Sequence, residues 1–161
     1  MALDISRLML GNINGDTNYA TYSFPVASGV TVTAGDFVYF ASGRITSATV
    51  AAARIAGMVL ETATGNAGGT VSALVCIDDE MRYLLKNDNV GVTFAASHVG
   101  INFDLIGATG AQLVDTSTTS TSGSLVCLEY NPQIDPVKTD TTYGVFMVAE
   151  NWFNTGSGGQ V

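Results

Sequence analysis

The chain has 161 residues, of which 47% are hydrophobic and 12% charged, with 14 acidic against 6 basic side chains. This composition excludes a disordered chain, and two cysteines are too few for a disulfide-rich scaffold. The net charge of −8 argues against a nucleic-acid surface, which needs clustered Lys and Arg, and a single histidine excludes most imidazole-based metal sites.

Residues 1–20 predict an N-terminal arm, because a short apolar segment precedes a turn-rich stretch that begins at Gly11. The apolar residues of the arm that could contact a partner are Leu3, Ile5, Leu8 and Leu10. An apolar segment outside a core is covered by a partner or folds back on its own domain, and both alternatives stay open. Asp4 and Arg7 interrupt the segment, so we expect no secretory signal and synthesis in the host cytoplasm.

Residues 21–153 predict a β body, because short runs rich in Val and Thr alternate with glycine-containing turns. Strand patterns occur at 24–33, 37–40, 44–46, 55–61, 71–77, 91–95, 103–106, 112–114, 124–129 and 143–149. Segment 78–86 has helical spacing of Met81, Leu84 and Leu85 but lies between strands, which favours a strand.

The fold class expected is all-β, a compact barrel or sandwich-like body of short antiparallel strands with an extended N-terminal arm and little helix. Two lobes, 22–77 and 88–150, are one way to divide this body. Residues 154–161 are rich in Gly and Ser and predict a flexible tail.

Reactive groups are scarce, so we expect no enzyme activity. His98 is the only imidazole that could activate a nucleophile, and its loop-like surroundings favour a structural or exposed side chain. Cys76 and Cys127 lie in separate strand patterns, and in a reducing cytoplasm two buried thiols are favoured over a disulfide.

No metal or cofactor is expected either. Residues 78–80 are three consecutive carboxylates, but neighbouring strand residues point to opposite faces and rarely converge on one ion. The stretch 87–91 lacks the spaced carboxylates of a calcium loop, so a solvated turn is favoured at both places. Trp152 and Phe153 could form an aromatic binding spot, although packing against the body is the preferred interpretation.

Several segments carry a family resemblance. They read VTAGDFVYFASGRIT at 32–46, RIAGMVLE at 54–61, GGTVSALV at 68–75, HVGINFDL at 98–105 and SLVCL at 124–128. Together they resemble bacteriophage capsid decoration (cement, head-stabilising) proteins over about residues 22–130. The shared motifs are turn and strand signatures rather than reactive groups.

The resemblance implies a structural virion protein on the outer surface of an expanded capsid, which it stabilises by binding the phage major capsid protein. It also implies a homo-oligomer, with a trimer favoured. In some such proteins an arm adds to a capsid sheet, which makes Leu3, Ile5, Leu8 and Leu10 the candidate capsid contacts. The alternatives are another phage structural module, such as a tail or fibre component, or a ligand- or carbohydrate-binding β domain.

Overall fold

The computed structural model describes residues 7–15, 18–48, 54–88, 93–117, 123–134, 137, 140–151 and 153. Within these ranges the only helical segment is a 3-10 turn, Ala96–His98. The strands, in chain order, are β1 (Arg7–Asn12), β2 (Thr21–Pro25), β3 (Thr31–Val32), β4 (Phe37–Ala41), β5 (Arg44–Ser47), β6 (Gly57–Val59), β7 (Ala63–Thr64), β8 (Ser72–Cys76), β9 (Met81–Lys86), β10 (Asn102–Phe103), β11 (Leu105–Ile106), β12 (Leu113–Val114), β13 (Leu125–Glu129) and β14 (Tyr143–Val148).

Two five-stranded sheets form the body. Sheet 1 has the order β1-β9-β14-β13-β10, and sheet 2 has the order β2-β8-β6-β4-β5. All the ladders within both sheets are antiparallel. Sheet 2 therefore comes from residues 21–76 alone, whereas sheet 1 combines strands from the beginning, middle and end of the chain.

The main core lies between the two sheets. Sheet 2 contributes Phe37 and Met58 to it, and sheet 1 contributes Tyr83 and Phe146. The rings of Phe37 and Tyr83 meet edge to face, with their centroids 4.9 Å apart. Because side chains alternate along a strand, Phe37 belongs to this core while its neighbour Val38 packs into a second cluster formed by sheet 2.

Sheet 2 curls around that second cluster, which contains Val38, Ile45, Val59 and Val75. Its two edges meet at one parallel bridge between Val26 and Ile45, where the amide of Ala27 also donates to the carbonyl of Ile45. A single bridge does not make a ladder, so the sheet is not a closed barrel. The expected all-β, sandwich-like fold with little helix is confirmed.

Gly57 shows why the motif Ile55-Ala56-Gly57 needs its glycine. Its φ is +154°, and a Cβ at this position would collide with the carbonyl oxygen of Cys76 on β8. The absent side chain lets β6 lie directly against β8. The close approach of β6 to β8 therefore explains why this motif contains a glycine.

Two ambiguous segments are assigned by the structure. In the segment 78–86, for which the sequence favoured a strand over a helix, residues 81–86 form β9. Leu84 and Leu85 are buried on opposite faces of sheet 1. The predicted strand at 91–95 is wrong for residues 93–95, which have no strand partner; residues 91 and 92 lie outside the described residues. There Phe94 is buried as a single anchor, and its amide donates to the carbonyl of Thr141 at 2.8 Å.

Residues 7–12 of the predicted arm fold back as β1, which pairs with β9 through Arg7↔Leu85 and Leu8↔Leu84. A β-bulge between Met9 and Gly11 interrupts this ladder. The tail at 154–161 and residues 1–6, including Leu3 and Ile5, lie outside the described residues.

Candidate functional site

The edge of sheet 1 formed by β1 is the first candidate site. No strand lies beyond β1 in this sheet among the described residues, so its outer edge is open. The Leu8 side chain is 39% exposed there, whereas Leu10 packs with Leu84 and Val145 on the outer face of sheet 1. Leu8 is therefore at the surface, whereas Leu10 is half-buried on the outer face of sheet 1.

A buried ion pair anchors β1 to the body. Nη1 of Arg7 lies 3.6 Å from Oδ1 of Asp36, and both side chains are almost fully buried. Nη2 of Arg7 also donates to the carbonyl of Gly110 at 3.0 Å. Asp36 in turn accepts hydrogen bonds from the amides of Thr33 and Gly110 and from the hydroxyl of Thr109. The strand that forms the open edge is thus attached to the body by buried contacts.

Gln112 makes a second buried connection between parts of the chain that are far apart in sequence. Its Oε1 accepts a hydrogen bond from the Phe37 amide at 2.6 Å. Its Nε2 donates to the carbonyls of Phe37 and Ala48 at 3.0 and 2.7 Å. The sequence predicted a strand at 112–114 but offered no signal for this role, because every partner lies more than sixty positions away.

An aromatic cluster on sheet 2 is the second candidate site. The Phe24 ring lies 4.8 Å from Tyr22, 5.0 Å from Phe40 and 5.7 Å from Phe153, and it stacks on the last of these at 15°. Tyr22 is 59% exposed and Phe153 is 42% exposed. Phe153 therefore packs against the body while one part of its ring remains in solvent; Trp152 lies outside the described residues.

His98 ends the 3-10 turn as a structural side chain. Its Nδ1 accepts a hydrogen bond from the Ala95 amide at 3.2 Å, and its ring meets Phe94 and Phe103 edge to face. These contacts fix the imidazole against the aromatic part of the main core.

The carboxylates at 78–80 stabilise a turn. Oδ1 of Asp78 accepts from the amide of Glu80, and Oε2 of Glu80 accepts from the side-chain amide of Asn14 at 2.8 Å. At 87–91, Oδ1 of Asp88 accepts from the Thr116 hydroxyl, and residues 89–91 lie outside the described residues. Within the described ranges no group of three His, Cys, Asp or Glu could hold a metal ion.

Cys76 and Cys127 are both buried and unbridged. The pKa of the Cys127 thiol is raised to about 11, mainly by burial; the hydrogen bond to the Glu129 carbonyl opposes this rise, and the Glu129 carboxylate adds to it. Burial likewise raises the pKa of Cys76. Both groups are therefore protonated at neutral pH, and a thiol is a far weaker nucleophile than a thiolate.

No protein-family model, curated protein or solved structure is significantly similar to the chain. Among the described residues, no helix has the length and apolar character needed to cross a membrane.

Proposed function

We propose that this chain is a structural virion protein that binds the outer surface of an expanded phage capsid and stabilises it. The observation that carries the proposal is the open edge of β1, which buried contacts attach to the body, with Leu8 exposed on it. An open edge offers unpaired main-chain donors and acceptors to an added strand. The sequence resemblance to capsid decoration proteins supports the same role.

In this proposal the partner is the phage major capsid protein, and a strand of that protein pairs with β1. Leu8 supplies an apolar contact beside the new ladder. The resemblance to capsid decoration proteins implies that the chain also assembles with itself, with a trimer favoured. Several copies engaged together would raise the effective affinity for the capsid by about 10²–10⁴. The net charge of −8 suits an outer surface that faces solvent rather than DNA.

The test is co-sedimentation with expanded and unexpanded heads of the phage that encodes the chain. We expect binding to expanded heads and increased resistance of those heads to heat. Leu8→Lys should weaken binding at least about tenfold, because it places a charge at the apolar contact. Deleting residues 2–6 removes Leu3 and Ile5 but keeps Arg7, and it should weaken binding as well.

Leu128→Lys is the matched control, since Leu128 is 37% exposed but lies on β13, inside the sheet. It should bind heads as the unmodified chain does. Unchanged binding by the Leu8→Lys variant would eliminate β1 as the contact, and no binding of the unmodified chain to expanded heads would eliminate the function.

The aromatic cluster around Phe24 favours a second candidate, a carbohydrate-binding β domain. Aromatic faces such as those of Tyr22 and Phe153 can pack on the apolar face of a sugar ring, and both are well exposed. Binding to a polysaccharide that is lost in Tyr22→Ala, together with no binding to heads, would favour this alternative.

A further inference from the structure

A cavity of about 330 Å³ lies on the outer face of sheet 1, away from the aromatic cluster. Four strands contribute to it, and the segment after β13 lines its remaining side. The lining residues are Leu10, Arg82, Glu129, Gln133, Ile134 and Val145. Its volume is in the range of small-molecule sites, about 300–1,000 Å³.

Arg82 brings a positive charge to this cavity. Its side chain is half-buried, and its Nε is fully buried without a hydrogen-bond partner. No ion pair of Arg82 is found in the described part of the chain, although acidic residues outnumber basic ones by 14 to 6. A buried N–H group without a hydrogen-bond partner is costly, and a bound anion that accepts from Nε would remove that cost.

Glu129 brings the opposite charge to the same cavity without neutralising Arg82. Glu129 lies on β13 opposite Val145 of β14, and β14 separates it from β9, which carries Arg82. Glu129 is in register with Leu84, and Arg82 lies two residues further along β9, so two strand spacings and two residues of rise separate the two backbones by roughly 12 Å. Both charged side chains line one cavity, and no ion pair joins them in the part of the chain that the structure describes, so each is available to a ligand that carries both charges.

The remaining lining consists of three aliphatic side chains and the side-chain amide of Gln133. Leu10, Ile134 and Val145 pack with Leu84, Val137 and Tyr143 in a third apolar cluster, so this side of the cavity continues into that cluster. An apolar side chain placed there is removed from water, which stabilises binding. A dianion such as phosphate fits poorly, because the Glu129 carboxylate would repel it.

We propose that this cavity binds the zwitterion of a free α-amino acid with an aliphatic side chain. The carboxylate pairs with Arg82, the ammonium pairs with Glu129, and the side chain lies against Leu10, Ile134 and Val145. This site does not depend on the proposed capsid role, so either proposal can fail without the other.

The experiment is an NMR titration of the full chain, followed at the amides of β9, β13 and residues 131–134. L-Leucine should bind saturably, with a Kd of about 1 mM or tighter. Three fragments of the ligand should each bind at least about tenfold more weakly. They are glycine, which lacks the side chain, 4-methylpentanoate, which lacks the ammonium, and 3-methylbutan-1-amine, which lacks the carboxylate.

Charge variants assign the two ends of the ligand. Arg82→Gln should weaken binding of both L-leucine and 4-methylpentanoate. Glu129→Gln should weaken binding of L-leucine but not of 4-methylpentanoate, because 4-methylpentanoate has no ammonium group to pair with Glu129. Arg44→Gln is the matched control, a half-buried arginine in β5 of the other sheet, and it should leave the L-leucine affinity unchanged.

Two results would overturn the proposal: no saturable shift with L-leucine, or 4-methylpentanoate binding as tightly as L-leucine. If Arg82→Gln does not fold, the Glu129→Gln variant and the ligand fragments still decide the question, since Glu129 is exposed and its substitution removes no core contact. Equal L-leucine affinity in Glu129→Gln would contradict the ammonium contact.

Discussion

Cys127 illustrates how burial alone sets the chemistry of a side chain in this protein. It is fully buried in β13, and its thiol lies 3.7 Å from the carbonyl oxygen of Glu129. Burial disfavours the thiolate and raises the pKa to about 11. The thiol therefore acts as a small apolar group, as the strand pattern around it predicted.

The raised pKa of Cys127 predicts a loss of stability in alkali. The ordinary value is 9.0, so above pH 9 the unfolded chain releases this proton before the folded chain does. Its contribution to the free energy of unfolding is complete below that pH and falls as pH rises toward about 11. Urea unfolding at about pH 8 and about pH 10 measures this decrease.

The variant Cys127→Ala should show a smaller decrease between the two pH values. Part of the decrease should remain, because burial also raises the pKa of Cys76 and of Tyr83, and these shifts act in the same direction. The same decrease in the variant as in the unmodified chain would contradict the account.

Sequence reasoning at the residue scale succeeded where the cause was local. The position of Cys76 and Cys127 in strand patterns, together with the hydrophobic character of free cysteine, predicted that both would be buried, and both are. It could not identify Arg7 as an anchor, because one of its partners is the carbonyl of Gln112, 105 positions away. Sequence alone could not identify Arg82 as a binding residue either, because its proposed role depends on a cavity built from four strands.

The hairpin of β4 and β5 shows what the sequence predicts well among the elements. Residues 42 and 43 form a two-residue loop between the paired ends Ala41 and Arg44. Both central residues have positive φ, 50° for Ser42 and 76° for Gly43, as a type I′ turn requires. A glycine between two apolar runs was a sufficient local signal.

The first strand was harder to predict, since an apolar segment near a turn-rich stretch is compatible with an arm and with an edge strand. What decides for β1 is a set of contacts, made through Arg7 and Asp36, with the residues before β4 and with the turn before β12. Asp36 precedes β4, and its partners Thr109 and Gly110 precede β12. The Asp36 carboxylate thus connects β1 of sheet 1, the start of β4 in sheet 2 and the turn before β12.

Asp36→Ala should therefore be severely destabilising. It leaves the Arg7 guanidinium buried without its ion-pair partner, and breaking a buried pair in this way costs about 3–5 kcal/mol. Asp79→Asn, a substitution in the turn before β9, should change the free energy of unfolding by no more than about 0.5 kcal/mol. Chemical denaturation measures both changes. Equal effects of the two substitutions would show that the contacts of Asp36 do not contribute substantially to the free energy of unfolding.

At the scale of the whole molecule, composition and turn spacing predicted the all-β class but not the pairing of strands. Sheet 1 joins β1 to β9 and β9 to β14, and such long-range pairings leave no local trace in sequence. The pairing matters for function because it decides which edges stay open. β1 lies at such an edge, and it carries the proposed contact with the capsid.

The most direct measurement of the proposed function is cryo-electron microscopy of expanded heads incubated with the purified chain. We expect additional density of the size of this β sandwich on the outer surface, with the β1 edge against the major capsid protein. An undecorated shell, with folded protein left in the supernatant, would contradict the account, as would density confined to the tail of the virion.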